Sequence, residues 1–334
     1  LGWLGISQVE TALQRMEGSS FAMSARDLEW RNAWRVFRDA PLWGHGWDSY
    51  PLQGFLAGSF PNGFSPNGIS VLFTHSHNIV LQLLAEMGLV GTLLVFGGAL
   101  WVIWPYFRRP ASAASMLPLA LMTVSLCHSM LEYPLWYIYF LTAFAVMMSI
   151  TPSETRIRTG YGIKAMLPAA SAFLIICGIV KLGFVYNDLV KFDRHVKTDT
   201  AEEVVRKVAG LERIARTEPL LAYYADLSLT RRGTPFDPEI RPWAAEASKR
   251  ALRHRPYATA YQYALYEYRE GNTEKAAEWL EKLYRYYPSS LNYYAKQIHA
   301  SPYFKNLYPD LYRACEAYQK LKPRTESCPR PETQ

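Results

Sequence analysis

No glycine-rich phosphate loop and no Asp-x-Asp pair occurs in this 334-residue sequence, which argues against an ATP-driven mechanism and a sugar-nucleotide substrate. C-x-x-C spacing is also missing, so the four cysteines form no zinc or redox motif. No compact run of lysine and arginine sits in a recognisable nucleic-acid fold signature. A formal charge of +7 alone does not imply nucleic acid, and no such partner is expected. The most informative absence is that of charge from long stretches. Residues 88–186 are strongly apolar, whereas 187–334 are polar, charged and tyrosine-rich. The mean hydropathy of -0.10 therefore averages two different materials.

The apolar half divides into four candidate membrane spans: 88–107, 115–131, 135–151 and 165–186. The first carries no charge, and its 20 residues at about 1.5 Å each cover a bilayer core. Lys181 lies near enough to the end of the fourth to snorkel. Arg108 and Arg109 follow the first span, and Arg156, Arg158 and Lys164 follow the third. By parity both loops share one side, which the positive-inside rule makes cytoplasmic. Residues 7–87, the hairpin Glu132-Tyr133-Pro134 and the tail from about 187 then face outward. The opening LGWLGIS reads as the last turns of a helix begun upstream, so the sequence is expected to be the C-terminal part of a longer protein.

The outer loop is too long for a plain connector. Ser24 to Asp39 reads as an amphipathic helix, with Leu28, Ala33, Trp34 and Phe37 apolar and Arg31, Arg35 and Arg38 at helical spacing. Such arginines suit anionic lipid heads or, through the guanidinium fork, a diphosphate. Pro41 stops the helix and PLWGHGW turns on Gly44 and Gly46. Then comes FTHSHNIVLQLLAEMG, in which His77, Asn78, Glu86 and Gly88 stand together at the doorstep of the first span. His75-x-His77 has chelate spacing, but no nearby carboxylate or cysteine supports a metal site, and none is expected. A second polar group on the same outer face, His128 with Glu132 and Tyr133, lies between the second and third spans. Ionisable side chains at such depth mark functional sites, while Tyr also belongs to any aromatic belt.

Two blocks carry a resemblance. Arg31-Asn-Ala-Trp34, Pro41 and Gly44-His-Gly46 lead into His77-Asn78-x-x-Leu81-Gln82-x-x-x-Glu86-x-Gly88-x-x-Gly91, and LEYPLWYIYF follows at 131–140. Together they resemble the core of the O-antigen ligase and polymerase (WaaL/Wzy) superfamily. With the helical tail they are most similar to the PglL-type bacterial protein O-oligosaccharyltransferases that glycosylate pilins. The resemblance implies an inner-membrane, multi-pass glycosyltransferase that needs neither metal nor cofactor. It would take a glycan from undecaprenyl diphosphate and pass it to a Ser or Thr hydroxyl of a secreted or periplasmic protein. Under it, His77 is the general base, a role for which the ordinary imidazole pKa of about 6.5 suits. Arg31 would offset charge on the leaving diphosphate, with Arg35 beside it. Tyr133 would orient donor or acceptor, and Asn78 and Glu132 would complete the substrate-binding set. Superfamily alternatives are a ligase acting on lipid A-core and a polymerase extending the O-antigen repeat. A non-catalytic membrane scaffold with a docking tail is the alternative from another class.

The expected fold is all-α. It comprises a membrane-helix end and large periplasmic loop (1–87), four transmembrane helices (88–186), a periplasmic tetratricopeptide-like (TPR-like) helical domain (187–322) and a disordered tail (323–334). In the helical domain Gly271-Asn272 makes a turn, and Ala276, Leu280 and Pro288 fall at tetratricopeptide positions. Its tyrosine stripes read as core packing or as an aromatic groove for the acceptor. Cys127 and Cys177 lie in apolar runs, whereas Cys315 and Cys328 are a plausible disulfide if the tail is outside the cytoplasm.

Overall fold

The computed structural model describes residues 26–60, 63–65, 74–108, 112–150, 163–194, 198–323, 325 and 327–330. Among these residues the chain is helical, with no strands. The opening LGWLGIS, Arg109, Arg156 and Arg158 lie outside the described residues, as does the side chain of Lys164, so the loop-charge orientation draws only on Arg108 here. The chain divides into two compact units: Leu1–Ser59 with Phe73–Glu154, and Phe60–Leu72 with Thr155–Gln334.

The first unit begins with α1 (26–39) and α2 (Tyr50–Ala57). The buried face of α1 is not the one its apolar residues suggest. Glu29, Asn32, Ala33 and Val36 are buried, while Trp34 is 48% exposed. The cause lies in α2: the Tyr50 hydroxyl, itself fully buried, donates to the Glu29 carboxylate at 2.7 Å and satisfies it. Then comes α3 (Ile79–Arg108), broken at Gly88, whose φ of 63° is left-handed. Asn78 starts this helix, its side-chain oxygen accepting from Val80 N (3.0 Å) and Leu81 N (3.1 Å) as an N-cap. Before the break α3 buries Ile79, Gln82, Leu83, Ala85 and Glu86; beyond it Leu93, Leu94 and Trp101 are exposed.

Two of the four expected spans are realised as helices long and apolar enough to cross a membrane: Ile79–Arg108 and, within α6 (Ile163–Asp193), Ala169–Asp193. The other two are shorter. α4 (Ala113–Ser129) and α5 (Ile138–Ser149) have 17 and 12 residues, against the roughly 20 that a perpendicular span needs. Between them Pro134–Trp136 forms a single 3₁₀ turn, because Pro134 cannot continue a preceding helix. Tyr106, Met122 and Phe144 pack α3, α4 and α5 together.

In the second unit α6 runs unbroken into the helical domain, where Leu189 joins a core with Val208, Leu211, Ile214, Leu221, Ala225 and Leu229. Lys181 meets Glu218 at 2.9 Å instead of only snorkelling. The domain continues through α7 (Ala201–Thr217), α8 (Ala222–Thr230), α9 (Pro242–Ala251), α10 (Pro256–Arg269), α11 (Thr273–Tyr286), α12 (Leu291–Ala300) and α13 (Tyr308–Leu321). α10 and α11 pair across Gly271, with φ of 90°, and Ala276 and Leu280 are buried. The tyrosines Tyr261, Tyr263, Tyr266, Tyr284, Tyr287 and Tyr294 are buried, in keeping with the core-packing reading. A piece of the long loop belongs to this unit too. Phe60 packs edge-on to Tyr286, Phe64 tilts against Tyr318, and Ser65 N donates to Arg285 O at 2.7 Å.

Residues 327–330, past the end of α13, are tied to the helical domain. Cys328 is buried and disulfide-bonded to Cys315 on α13, Asn292 donates to Ser327 O, and Tyr308 donates to Pro329 O. The closed loop is short, with a separation of 13 residues. Cys315→Ser is expected to cost about 3 kcal/mol. Trypsin cleavage at the Arg324-Thr325 bond, followed by mass spectrometry, should speed up accordingly; unchanged cleavage would show the hydrogen bonds suffice.

Candidate functional site

The sharp turn before α3 sets the geometry. His77 adopts φ 54°, a left-handed conformation that is uncommon for a residue with a side chain. Two bonds stabilise this turn. Ser76 N donates to the Gln82 side-chain oxygen at 2.7 Å, and the Ser76 hydroxyl donates to Asn78 O at 3.0 Å. Gln82 is buried and uses its amide nitrogen on Glu86 Oε1 at 3.0 Å, where Tyr50 N also donates (3.3 Å). The Gly-x-Gly block closes on the same helix, with Gly46 N donating to Glu86 O at 2.7 Å. A chain of hydrogen bonds thus ties α2, the Gly-x-Gly turn and the buried half of α3 to the peptide preceding His77.

So held, His77 faces the hairpin between α4 and α5. Its Nδ1 lies 2.8 Å from Glu132 Oε2; a carboxylate accepts, so Nδ1 carries the hydrogen. The other Glu132 oxygen is ion-paired with Arg26 of α1. Side-chain exposure is 14% for His77 and 36% for Glu132, so the pair sits at a shielded edge. Asn78 donates to Met130 O at 3.2 Å, fastening the hairpin to the start of α3. Tyr133 stands edge-on to His77, with ring centroids 5.0 Å apart. Its hydroxyl is held above the usual phenol range, first by its hydrogen bond with Tyr137 and then by burial, so it stays neutral. His75 stacks on the Tyr133 ring (4.6 Å, 8°), and Trp136 lines the crevice, itself parallel to Trp47 (5.8 Å, 3°).

His75 is pushed down to about 4, chiefly by burial and secondarily by repulsion from His77, with Asp48 opposing. Folded His75 therefore binds its proton less readily than unfolded. The His75 contribution is fully present above about pH 6.5 and lost as pH falls toward 4, by an amount on the order of 3 kcal/mol. The difference between thermal melts of detergent-purified wild type and His75→Phe, which keeps a ring on Tyr133, isolates it: the variant should gain relative to wild type as pH is lowered from 7 to 4. A difference that does not change with pH would refute it.

The crevice unites residues that two comparisons match separately. Residues 1–96, with His77, match the family model described as O-antigen ligase. Residues 116–300, with Glu132 and Tyr133, match the model described as virulence factor membrane-bound polymerase, C-terminal, over more than half the chain. The chain belongs to the virulence-factor membrane-bound polymerase family. A general O-oligosaccharyltransferase of Acinetobacter baylyi (strain ATCC 33305 / BD413 / ADP1) is 26% identical over 160 residues. That alignment covers 48% of this chain and 26% of the relative, so the chain spans about a quarter of that protein's length. No solved structure matches. The superfamily reading made from the two sequence blocks is borne out, and the matches support glycan transfer at the level of the family.

Within this family member the expected site residues do not all meet. His77, Asn78, Glu132 and Tyr133 line one crevice with His75, Gln82 and Trp136. Arg31 and Arg35 do not line it: Arg31 pairs with Asp27 at 2.8 Å and is largely exposed, and Arg35 reaches Asn32 Oδ1 at 3.3 Å. Arg26 and Gln82 received no role from the sequence. Gln82 had a signal, since i, i+4 spacing puts it over Glu86 on one helix face. Arg26 had none, its partner lying 106 residues away.

Proposed function

We propose that the protein transfers a glycan from undecaprenyl diphosphate to a Ser or Thr hydroxyl of a periplasmic protein such as a pilin. The observation that carries this is the Arg26–Glu132–His77 relay. Glu132 fixes the tautomer and orientation of the imidazole, as an acid partner does in any base-orienting pair. Nε2 would then take the hydroxyl proton while the oxygen attacks the anomeric carbon. The bond to the diphosphate breaks with inversion, and undecaprenyl diphosphate leaves with the electron pair. Arg31 and Arg35, exposed on α1, are the groups proposed to meet that charge. The Arg31–Asp27 pair is an exposed one, and exchanging it for a diphosphate costs little. Neutral Tyr133 would donate to donor or acceptor beside His77.

The multi-pass inner-membrane placement, with the 7–87 loop and the TPR-like domain in the periplasm, is part of the proposal. The Cys315–Cys328 disulfide supports it, because such bonds persist in oxidising compartments. The two family matches, to an O-antigen ligase and a membrane-bound polymerase, favour a second reading in which the acceptor is a sugar: lipid A-core for a ligase or the O-antigen repeat for a polymerase. Intact mass of a secreted pilin-like acceptor, co-expressed with the full-length protein and a lipid-linked glycan pathway, separates them. A glycan mass on the acceptor supports the proposal. An unmodified acceptor with O-antigen appearing on, or lengthening in, lipopolysaccharide moves the assignment to the sugar acceptor. No transfer of any kind in the presence of abundant donor favours a scaffold.

A further inference from the structure

The turn between α1 and α2 exposes large apolar side chains at a level that the backbone fixes. Leu42 is 58% exposed, Trp43 74% and Trp47 58%. Its carbonyls hold the first residues of the charge-free part of α3: Leu89 N donates to Pro41 O (2.8 Å) and Val90 N to Leu42 O (3.2 Å). One turn further on, Leu93 and Leu94 of α3 are 63% and 71% exposed. The apolar surface of the span is thus continued sideways by the turn. Charged side chains resume outside it, at Arg38 and Asp39 before and Asp48 after. Contiguous exposed apolar surface of this kind marks contact with a partner or a membrane. Tryptophan next to the end of an apolar helix suits the bilayer interface, where its ring is half in hydrocarbon and half hydrated.

We propose that the Pro41–Trp47 turn is a membrane-inserted element, with Leu42 and Trp43 among the acyl chains at the Gly88 end of α3. The partner is the lipid surface itself, argued from continuity with the outward face of a helix in a membrane-bound family. Through the Trp47–Trp136 stack the same turn reaches the His77 crevice, which brings that crevice to headgroup depth. A lipid-borne diphosphate resides at that depth. The insertion itself does not depend on the chemistry proposed for His77.

The test is spin labelling of the full-length protein in proteoliposomes, its free cysteines replaced by serine. Labels at Trp43→Cys and, independently, Leu42→Cys are compared with Leu94→Cys in the span and Arg38→Cys outside it. Both turn positions should be shielded from a water-soluble nickel chelate and open to oxygen. They should read about 5–10 Å below the lipid phosphates, the depth of interfacial elements. Nickel accessibility equal to that of Arg38→Cys overturns the proposal. Labels closed to both reagents also overturn it, since the turn is then covered by protein. Because the readout is depth, an inactive enzyme leaves the result interpretable.

Discussion

His77→Ala is expected to lower glycan transfer by about 10²–10⁴-fold, the usual contribution of a positioned general base, with equal membrane insertion. The prediction rests on His77 having one nitrogen committed to Glu132 at 2.8 Å, within a turn whose backbone is held by Gln82 and Asn78. Alanine also removes a side chain from a left-handed residue, so a second variant separates the two effects. Asn tolerates the φ of 54° better than most residues and cannot act as a base. His77→Asn should therefore match alanine in activity while keeping stability. Glu132→Gln keeps the shape but presents an amide of either orientation to Nδ1 and loses the charge paired with Arg26. Its loss should be intermediate. Single-turnover transfer read by intact acceptor mass would check all three; full activity in His77→Asn would end the base assignment.

Gly44→Ala and Gly88→Ala should each abolish the folded first unit, at a cost on the order of 4 kcal/mol or more. The two glycines meet face to face. A Cβ on Gly44 would lie 2.3 Å from Glu86 O and 2.6 Å from Gly88 N. A Cβ on Gly88 would lie 2.4 Å from the Leu42 carbonyl and 2.6 Å from Gly44 N. Every obstacle is backbone, so no side chain can swing aside. Both residues also have positive φ, at 67° and 63°, which alanine adopts only with strain. The control lies on the same helix: Gly97 and Gly98 have nothing within 4 Å of a built Cβ, and alanine there should be neutral or mildly stabilising. Size-exclusion profiles and melting midpoints of the detergent-solubilised proteins would decide. A monodisperse Gly44→Ala protein with an unchanged midpoint would refute the interlock.

What the sequence made legible was local. The His77-Asn78 block, the helix stop at Pro41, the Gly44 and Gly46 turns and the all-helical class all follow from short-range rules, and the structure carries each of them. Long-range pairing was not legible. Glu29 and Asn32 look like solvent-facing residues of α1 until Tyr50 supplies a buried partner for Glu29, and only then does Trp34 turn outward. Arg26 and Glu132 are likewise joined only by the fold, whereas Arg31, the arginine that stood out by motif, pairs with its own helix neighbour. The break at Glu132-Tyr133-Pro134 was legible, but not the 3₁₀ turn over Pro134–Trp136 that delays α5 to Ile138 and shortens it.

The unbroken α6 has a mechanical consequence. Its 31 residues extend about 46 Å, against a bilayer core of about 30 Å. Its far end is cemented into the domain core through Leu189. With α6 as a span, as proposed above, the helical domain is mounted on a mast instead of hanging from a tether. A membrane of different thickness, met by tilting this helix, would tip the whole domain through the same angle. Lipid composition would then set the attitude at which the domain presents its surface.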